Sequence, residues 1–344
     1  MIEVSTHKRD DSLDFIKVLA TIAVLKLHVG WQGYAEYAGS IVQYMCGCAV
    51  PLFFMVSGGL ALNRSLESTR GGYYLKKARS ILVLILTWGV IFFLYDCVKS
   101  KGIVNPIDDI FGSLLQKGYL DHFWFLWALM FLYLLSPMLR KLFTGDKERN
   151  MTTIVFLLLM AICFCVNVSM GVNCLQPFET NVPQSLRIWS HLGYYWLGAC
   201  LYRIVKSEDA LRVGILSNKK LLVAMTVILW ISMAFIQYGL CRIVMGITSP
   251  EYIFDSPAII LTNISIFICC IVMKENIVVS RGARLIQYSL GIYILHPFVI
   301  RVLEKILPWI NMGWPLRWLI LFVASMFTTA IMLKIPVLNK LIKL

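Results

Sequence analysis

The chain has 344 residues, of which 59% are hydrophobic and only 15% are charged, so it lacks the polar surface that a soluble domain needs. Its formal net charge is +13, and basic loops that face anionic lipid account for this charge without a nucleic-acid partner. Long unbroken apolar runs exclude a transmembrane β-barrel, whose strands alternate over about ten residues. We therefore expect one all-α domain over 1–344, a polytopic membrane bundle without an appended soluble domain.

Ten stretches are long and apolar enough to cross a bilayer when windows of about 20 residues are compared. In chain order, the predicted spans are 13–30, 40–62, 80–97, 122–139, 151–169, 189–204, 220–239, 256–273, 285–303 and 314–333.

Lysine and arginine are unequally distributed between the two sides of these spans. With the N-terminus inside, the cytoplasmic loops and tails hold 22 of the 32 basic residues and the opposite side holds 8, while Lys17 and Lys26 lie within the first span. Short cytoplasmic loops normally carry the excess of positive charge, so we predict that both termini are cytoplasmic.

The first span carries four ionisable residues, Asp14, Lys17, Lys26 and His28. Each charged residue inside a membrane costs ~2.5–3.5 kcal/mol on insertion scales, which makes a function worth considering for each. Lys17 and His28 are eleven positions apart, so they share one helix face and stand roughly 16 Å apart along it. Lys26 points to the opposite side near the helix end, where we expect its amine to snorkel to the interface.

The predicted roles of these residues differ with their depth. His28 lies in the outer half, where a neutral imidazole can act as a general base, become transiently acylated, or pack between helices. Lys17 lies about three turns deeper and forms an i, i+3 pair with Asp14. It either holds the first helix in place by ion pairing or meets a phosphate at the cytoplasmic mouth.

The basic loop before the third span has two interpretations. Lys76, Lys77 and Arg79 lie on the cytoplasmic side, where they can anchor the protein to anionic lipid or bind a phosphate-bearing ligand.

Two later histidines also fall in the outer half. His122 begins the fourth span, ahead of Trp124 and Trp127, which an interfacial aromatic belt would explain equally well. His296 lies in the ninth span and is followed by Pro297, which frees a backbone carbonyl and can kink the helix. We expect His28, His122 and His296 to converge.

Five segments of the chain form a recognisable series. They are RDDSLDFIKVLATIAVLKLH from Arg9 to His28, AVPLFFMVSGGLAL with Phe53 and Ser57, HFWFLWAL from His122, HLGYYWLGACL from His191, and SLGIYILHPFVI from Ser289. In this order they resemble the motifs of the membrane acyltransferase 3 family. Two departures are Lys26, which stands at a usually apolar position, and YYLKKARSIL at the third span, which has a serine near an expected arginine.

The resemblance implies a specific chemistry. It implies transfer of an acyl group, usually acetyl, from cytoplasmic acyl-coenzyme A to a hydroxyl of an envelope glycan or related acceptor. It places His28, Lys17 and Asp14 at the catalytic site, His296, His122 and Trp124 at the acceptor side, and Arg9, Lys76, Lys77 and Arg79 near the coenzyme. The family pattern is metal-free, and no Asp, Glu or Cys ligand is placed with the histidines, so we predict no metal.

Two other classes of function remain open. Ten spans with buried charge also fit a transporter of a glycan or a small polar molecule, although no internal repeat and no matching pair of broken helices is visible in the sequence. A sensor or assembly scaffold would leave the shared face of Lys17 and His28 unexplained. We expect the inner or plasma membrane as the location, and a lipid bilayer, acyl-coenzyme A and an envelope acceptor as the partners.

Overall fold

A computed structural model describes residues 10–30, 36–64, 72–100, 102, 105–207, 217–248, 253–308 and 312–342. This part of the chain is helical, and it contains no strand. The predicted all-α fold is confirmed. Arg9, which the family resemblance places near the coenzyme, lies outside the described residues.

The helices are numbered here in chain order. They are α1 (Asp11–Val29), α2 (Glu36–Cys46), α3 (Ala49–Leu62), α4 (Tyr73–Ser100), α5 (Pro106–Phe111), α6 (Trp124–Thr144), α7 (Asp146–Val172), α8 (Ile188–Val205), α9 (Lys219–Tyr238), α10 (Pro257–Val272), α11 (Ile277–Ala283), α12 (Ile286–Ile306), α13 (Trp314–Lys334) and α14 (Pro336–Asn339). Short 3₁₀ turns at Gly112–Leu115, Asp121–Phe123, Phe178–Asn181 and Gln184–Leu186 connect them, and the π-helix Gly239–Val244 extends α9.

Seven helical segments of the described part are long and apolar enough to cross a membrane, or eight if the bent pair α10–α11 counts as one span. They overlap eight of the ten predicted spans. The other two predicted spans coincide with α1 and α8, which are largely buried and are not among the seven. Helix α1 is not counted as a membrane-crossing segment because its acidic and basic residues make it too polar for an isolated span. The count of ten stays a prediction.

Helix α1 is the central element of the site, and its ends are well defined. The side chain of Asp10 caps its N-terminus by accepting from the Ser12 amide at 3.1 Å, and Gly30 ends it in the left-handed region at φ +76°. Asp10 also accepts from Lys206 at 2.7 Å and from Tyr202 at 2.8 Å. Burial raises the pKa of Asp10, but these hydrogen bonds outweigh it and hold the pKa at about 2.

Lys26 corrects one prediction. Its side chain does not snorkel to an interface but is fully buried, and its ammonium donates to the carbonyls of Gly30 and Gly39 and to Gln43 Oε1 at 2.8, 3.3 and 3.0 Å. The ammonium also lies 5.0 Å from the centre of the Trp314 ring. Snorkelling is unnecessary because all three donors already have partners inside the protein. Lys26 thereby ties the end of α1 to α2.

Helices α3 and α8 pack with their backbones in contact. A Cβ on Gly58 would lie 1.8 Å from the Tyr195 carbonyl oxygen, and one on Gly198 would lie 2.1 Å from the Met55 carbonyl oxygen. Small residues allow this close approach of helices in a membrane. Helix α1 packs against α3 of this pair, and also against α2, α10, α11, α12 and α13.

Candidate active site

Three histidines from three segments meet in the interior. The ring centres of His28 and His296 are 4.6 Å apart, and those of His122 and His296 are 5.4 Å apart. His122 and His296 are buried, whereas the His28 side chain is exposed to a cavity. The structure therefore brings together the three histidines that the sequence placed in one half of the protein.

Helix α12 holds both buried histidines through one turn. His296 Nδ1 lies 2.8 Å from the Tyr293 carbonyl, and the Tyr293 hydroxyl donates to the His122 carbonyl. His122 Nε2 lies 3.3 Å from the Ile294 carbonyl. A carbonyl only accepts, so the facing ring nitrogens carry the protons: Nδ1 in His296 and Nε2 in His122.

The other nitrogen of each ring does not contact these carbonyls. His296 Nε2 and His122 Nδ1 are buried and have no hydrogen-bond partner within the part of the chain that the structure describes. His122 Nδ1 lies 3.6 Å from Asp121 Oδ1, whose side chain is largely exposed. A proton taken up at His122 Nδ1 would point at this carboxylate, which would stabilise the imidazolium.

The three histidines adjoin what we call the outer cavity, with a volume of about 250 Å³. His28 and His122 are among the residues that line it, whereas His296 contacts it through the His28 ring. The full lining is Val24, Leu27, His28, Gln43, Val50, Phe53, Gln116, Asp121, His122, Trp124, Phe125, Gln184, Phe254 and Tyr293.

Three amide side chains give the outer cavity its polar wall. Gln43 is oriented by Lys26 at one end and by the Leu27 carbonyl, at 3.1 Å, at the other. Gln116 has left-handed backbone geometry at φ +56°, and its Oε1 accepts from the Gln184 amide at 2.7 Å. The side-chain Oε1 of Gln184 is buried and has no hydrogen-bond partner among the residues described. Sparsely populated backbone conformations and unpaired polar atoms are typical of ligand sites.

A second cavity, which we call the inner cavity, has a volume of about 770 Å³. Lys17 of α1 and Lys77 of α4 line it together with Ser57. Its other lining residues are Phe53, Ile81, Phe125, Leu126, Leu129, Tyr133, Ile286, Gln287, Ser289, Leu290, Tyr293, Leu333 and Ile342. Two ammonium groups in a mostly apolar chamber can bind an anionic group whose remainder is apolar or neutral.

The two cavities share three aromatic residues, Phe53, Phe125 and Tyr293. The ring centre of Phe125 lies 5.4 Å from that of Phe53 and 5.7 Å from that of Tyr293. We call these three side chains the ring constriction. Lys17 is thus on one side of it and His28 on the other, although both belong to α1.

The remaining predicted site residues take different places. Lys76 and Arg79 do not line the inner cavity; they face a separate groove with Lys340 on another side of α4. Asp14 is buried on α1 and lines neither cavity. Trp124 lines the outer cavity, and its ring stacks on that of His191 with centres 5.9 Å apart.

A buried ionic cluster supports the outer cavity from behind. The carboxylate of Glu179 accepts from Trp189 Nε1 at 2.9 Å and lies 3.6 Å from the Arg187 guanidinium. Burial raises the pKa of Asp255, and the charge of Glu179 raises it further. Burial also raises the pKa of Glu179, against the influence of Arg187. Asp255 follows Phe254, a residue of the cavity wall.

Sequence reasoning missed most of the cavity walls. Phe53 and Tyr293 stand within the family-like segments, but no motif assigns them a role, and no motif includes Gln43, Gln116 or Gln184. A polar amide at the apolar position 43 of a predicted span was a usable signal, because such residues seek a partner or a ligand. Gln116 and Gln184 lie in connecting segments, where nothing in their local pattern distinguishes them.

Comparison with known proteins gives one finding. A family model described as an acyltransferase domain, that of the membrane acyltransferase 3 family, matches residues 10–334. No curated protein and no solved structure matches the chain. The match indicates acyltransferase activity, and together with the long apolar helices it indicates a multi-pass membrane protein.

Proposed function

The chain belongs to the membrane acyltransferase 3 family, and we propose that it transfers an acyl group, acetyl in the simplest case, from cytoplasmic acyl-coenzyme A to a hydroxyl of an envelope glycan or related acceptor. The observation that carries this proposal is the pair of cavities on either side of the ring constriction. One contains lysines, the other contains histidines and amides, and both end at the same three rings.

The inner cavity suits the donor. Lys17 and Lys77 offer ammonium groups for phosphates or a carboxylate-like anion, and the volume of about 770 Å³ is within the usual range for sites that bury a small molecule. Lys17 and His28 are roughly 16 Å apart along α1. A coenzyme with its charged part near Lys17 would extend its arm toward the ring constriction, so that the thioester would approach His28.

The outer cavity suits a hydroxyl-bearing acceptor. Gln43, Gln116 and Gln184 provide amide donors and acceptors, and Trp124 offers an aromatic face. Its volume of about 250 Å³ is smaller than that of most drug-sized sites, which favours entry of a single ring or chain end. An uncharged polyhydroxylated group fits these partners better than an anion, because the carboxylate of Asp121 also lines the cavity.

The chemistry follows from His28. Its ring takes the proton from the acceptor hydroxyl as the oxygen attacks the thioester carbonyl, so a carbon–oxygen bond forms and the carbon–sulfur bond breaks. The proton then passes from the imidazolium to the departing thiolate, which leaves as the free thiol of the coenzyme. Acid–base assistance of this kind contributes about 10²–10⁴-fold to a rate.

The test is transfer by purified protein in lipid nanodiscs from radiolabelled acetyl-coenzyme A to extracted envelope glycans, with mass spectrometry of the product. We expect wild-type protein to label an acceptor and His28→Ala to lose at least about a hundredfold in turnover with unchanged expression and thermal stability. Uptake of the acceptor or the coenzyme into proteoliposomes without any ester formed would instead indicate a transporter in the predicted inner or plasma membrane.

A further inference from the structure

The side chain of His296 occupies an unusual position for a helical histidine. Its Nδ1–H donates to the carbonyl of Tyr293, three residues earlier, at 2.8 Å, with the carbonyl of Ile292 at 3.2 Å. In a regular helix the carbonyl of Tyr293 would instead accept from the backbone amide of residue 297. Residue 297 is proline, which has no amide hydrogen.

The His296 ring binds the Tyr293 carbonyl because Pro297 has no amide hydrogen to donate to it. Proline inside a helix leaves a carbonyl without its partner, and in a membrane protein a neighbouring polar group commonly replaces that partner. Here the replacement is the ring of the residue directly before the proline. Since the Tyr293 carbonyl accepts only, the histidine must keep its proton on Nδ1, and its Nε2 must carry a lone pair.

A histidine with only a structural role would be expected to have a hydrogen-bond partner at Nε2 as well as at Nδ1. His296 is fully buried, and Nε2 has no hydrogen-bond partner among the described residues. A buried acceptor without a hydrogen-bond partner destabilises the folded state. The nearest ring is that of His28, 4.6 Å away between centres, and catalytic hydrogen bonds are often long before substrate binds.

We propose that Pro297 is a positioning residue: by withholding an amide hydrogen from the Tyr293 carbonyl, it holds His296 in the Nδ1–H tautomer and so presents Nε2 as a hydrogen-bond acceptor for His28. This proposal rests on the proposed acyl transfer. When His28 takes the hydroxyl proton, its ring becomes a cation with two N–H groups. One N–H returns its proton to the thiolate, and the other donates to His296 Nε2, which orients and stabilises the cation without taking the proton.

The tautomer can be measured without any activity. In protein carrying ¹⁵N in its histidine rings, protonated and bare ring nitrogens have distinct NMR shifts, and the His296 signals are identified as those lost in His296→Asn. We expect bare Nε2 and protonated Nδ1 in wild type. In Pro297→Ala the new amide competes for the Tyr293 carbonyl, and we expect Nε2–H to appear. A wild-type Nε2–H tautomer, or an unchanged tautomer in Pro297→Ala, overturns the proposal.

Two substitutions of His296 separate its two nitrogens and do not depend on the proline variant folding. Asparagine can donate to the Tyr293 carbonyl from near the Nδ1 position but places nothing at Nε2, whereas the longer glutamine can place an oxygen there. We expect His296→Gln to keep at least about tenfold more turnover than His296→Asn, with similar KM for the donor and similar thermal stability. Equal turnover in the two variants overturns the acceptor role.

A different result would contradict the proposed acyl transfer. If wild-type protein shows the Nδ1–H tautomer and Pro297→Ala shifts it, yet no ester forms with any donor and acceptor, acyl transfer is wrong. The hydrogen-bond-acceptor role of His296 toward a His28 cation is then also wrong, while the effect of Pro297 on the tautomer stands.

Discussion

Lys17 and His28 belong to one helix but line different cavities, with the ring constriction of Phe53, Phe125 and Tyr293 between them. A single rigid element therefore sets the distance between the proposed phosphate end and the proposed reacting end of the donor. This arrangement predicts different kinetic consequences for the two residues, because Lys17 is proposed to contact the part of the donor that does not react.

Lys17→Ala should chiefly raise the KM for acyl-coenzyme A, whereas His28→Ala should lower kcat with little change in donor affinity. Lys17→Arg should retain much of the activity, since the contact needs positive charge rather than proton transfer. Steady-state kinetics in nanodiscs, with direct measurement of coenzyme binding, checks the division. An equally steep loss of turnover in Lys17→Ala, at unchanged donor affinity and stability, would mean that both residues serve one catalytic step.

Lys77 and Lys76 offer a matched pair on α4, since they are neighbours in sequence and only Lys77 lines the inner cavity. Lys77→Gln should weaken donor binding by about tenfold, which is the value of one hydrogen bond to a charged group. Lys76→Gln and Arg79→Gln should change it little. Added salt should reduce wild-type affinity more than that of Lys77→Gln. Equal effects of the two lysine substitutions would indicate that this segment anchors the protein to lipid and does not bind the donor.

Phe53 and Phe54 form a second matched pair on α3. Phe53 belongs to the ring constriction, whereas Phe54 is fully buried against His191, with ring centres 4.5 Å apart. Phe53→Leu should widen the passage and raise kcat/KM for longer acyl donors relative to acetyl by about tenfold, the effect of a methylene or two in an apolar site. Phe54→Leu should lower stability without changing this ratio. Unaltered donor selectivity in Phe53→Leu would argue that the acyl group does not pass these rings.

Lys26→Met should destabilise the protein by about 2–4 kcal/mol. The substitution leaves three buried acceptors, the carbonyls of Gly30 and Gly39 and the side-chain oxygen of Gln43, without their donor. Methionine keeps much of the apolar stem, so lost packing contributes little. Denaturant unfolding in detergent measures the change, and Lys305→Met on exposed α12 surface serves as the control. A stability equal to the control would show that water or lipid replaces the ammonium.

The raised pKa of Asp255 predicts that the stability of the protein depends on pH. Its pKa in the folded protein is raised by burial and by Glu179, so the folded state holds a proton that the unfolded chain releases above about pH 4. Stability is therefore fully present below about pH 4 and falls as the pH rises toward the raised pKa. Asp255→Asn should flatten this fall and be more stable than wild type near pH 8. Melting temperatures measured from pH 5 to about pH 8 test it, with Glu304→Gln, an exposed carboxyl, expected to follow wild type.

The helices and the histidine cluster were predictable because each leaves a local trace. Apolar runs of about 20 residues mark membrane helices, and ionisable residues inside them, such as His28, mark positions where a function is expected. The fate of Lys26 was not predictable, since its partners Gly39 and Gln43 lie on the next helix and a sequence does not show which carbonyls a turn will present. The division between Lys76 and Lys77 was missed for a related reason: adjacent helical residues point about 100° apart, so a basic cluster cannot face one cavity as a unit.

The ring constriction also has an electrical consequence. In the predicted orientation, we expect the two cavities to open toward opposite sides of the membrane, so that much of the voltage across the bilayer would fall over the ring constriction between them. A potential of 100 mV is worth ~2.3 kcal/mol for one charge that crosses it completely. In the proposed mechanism, His28 becomes a cation and the thiolate leaves as an anion next to this constriction, where the field would be strong. An energised membrane would therefore act on the reaction itself, and the rate of transfer in proteoliposomes should change when the voltage is reversed.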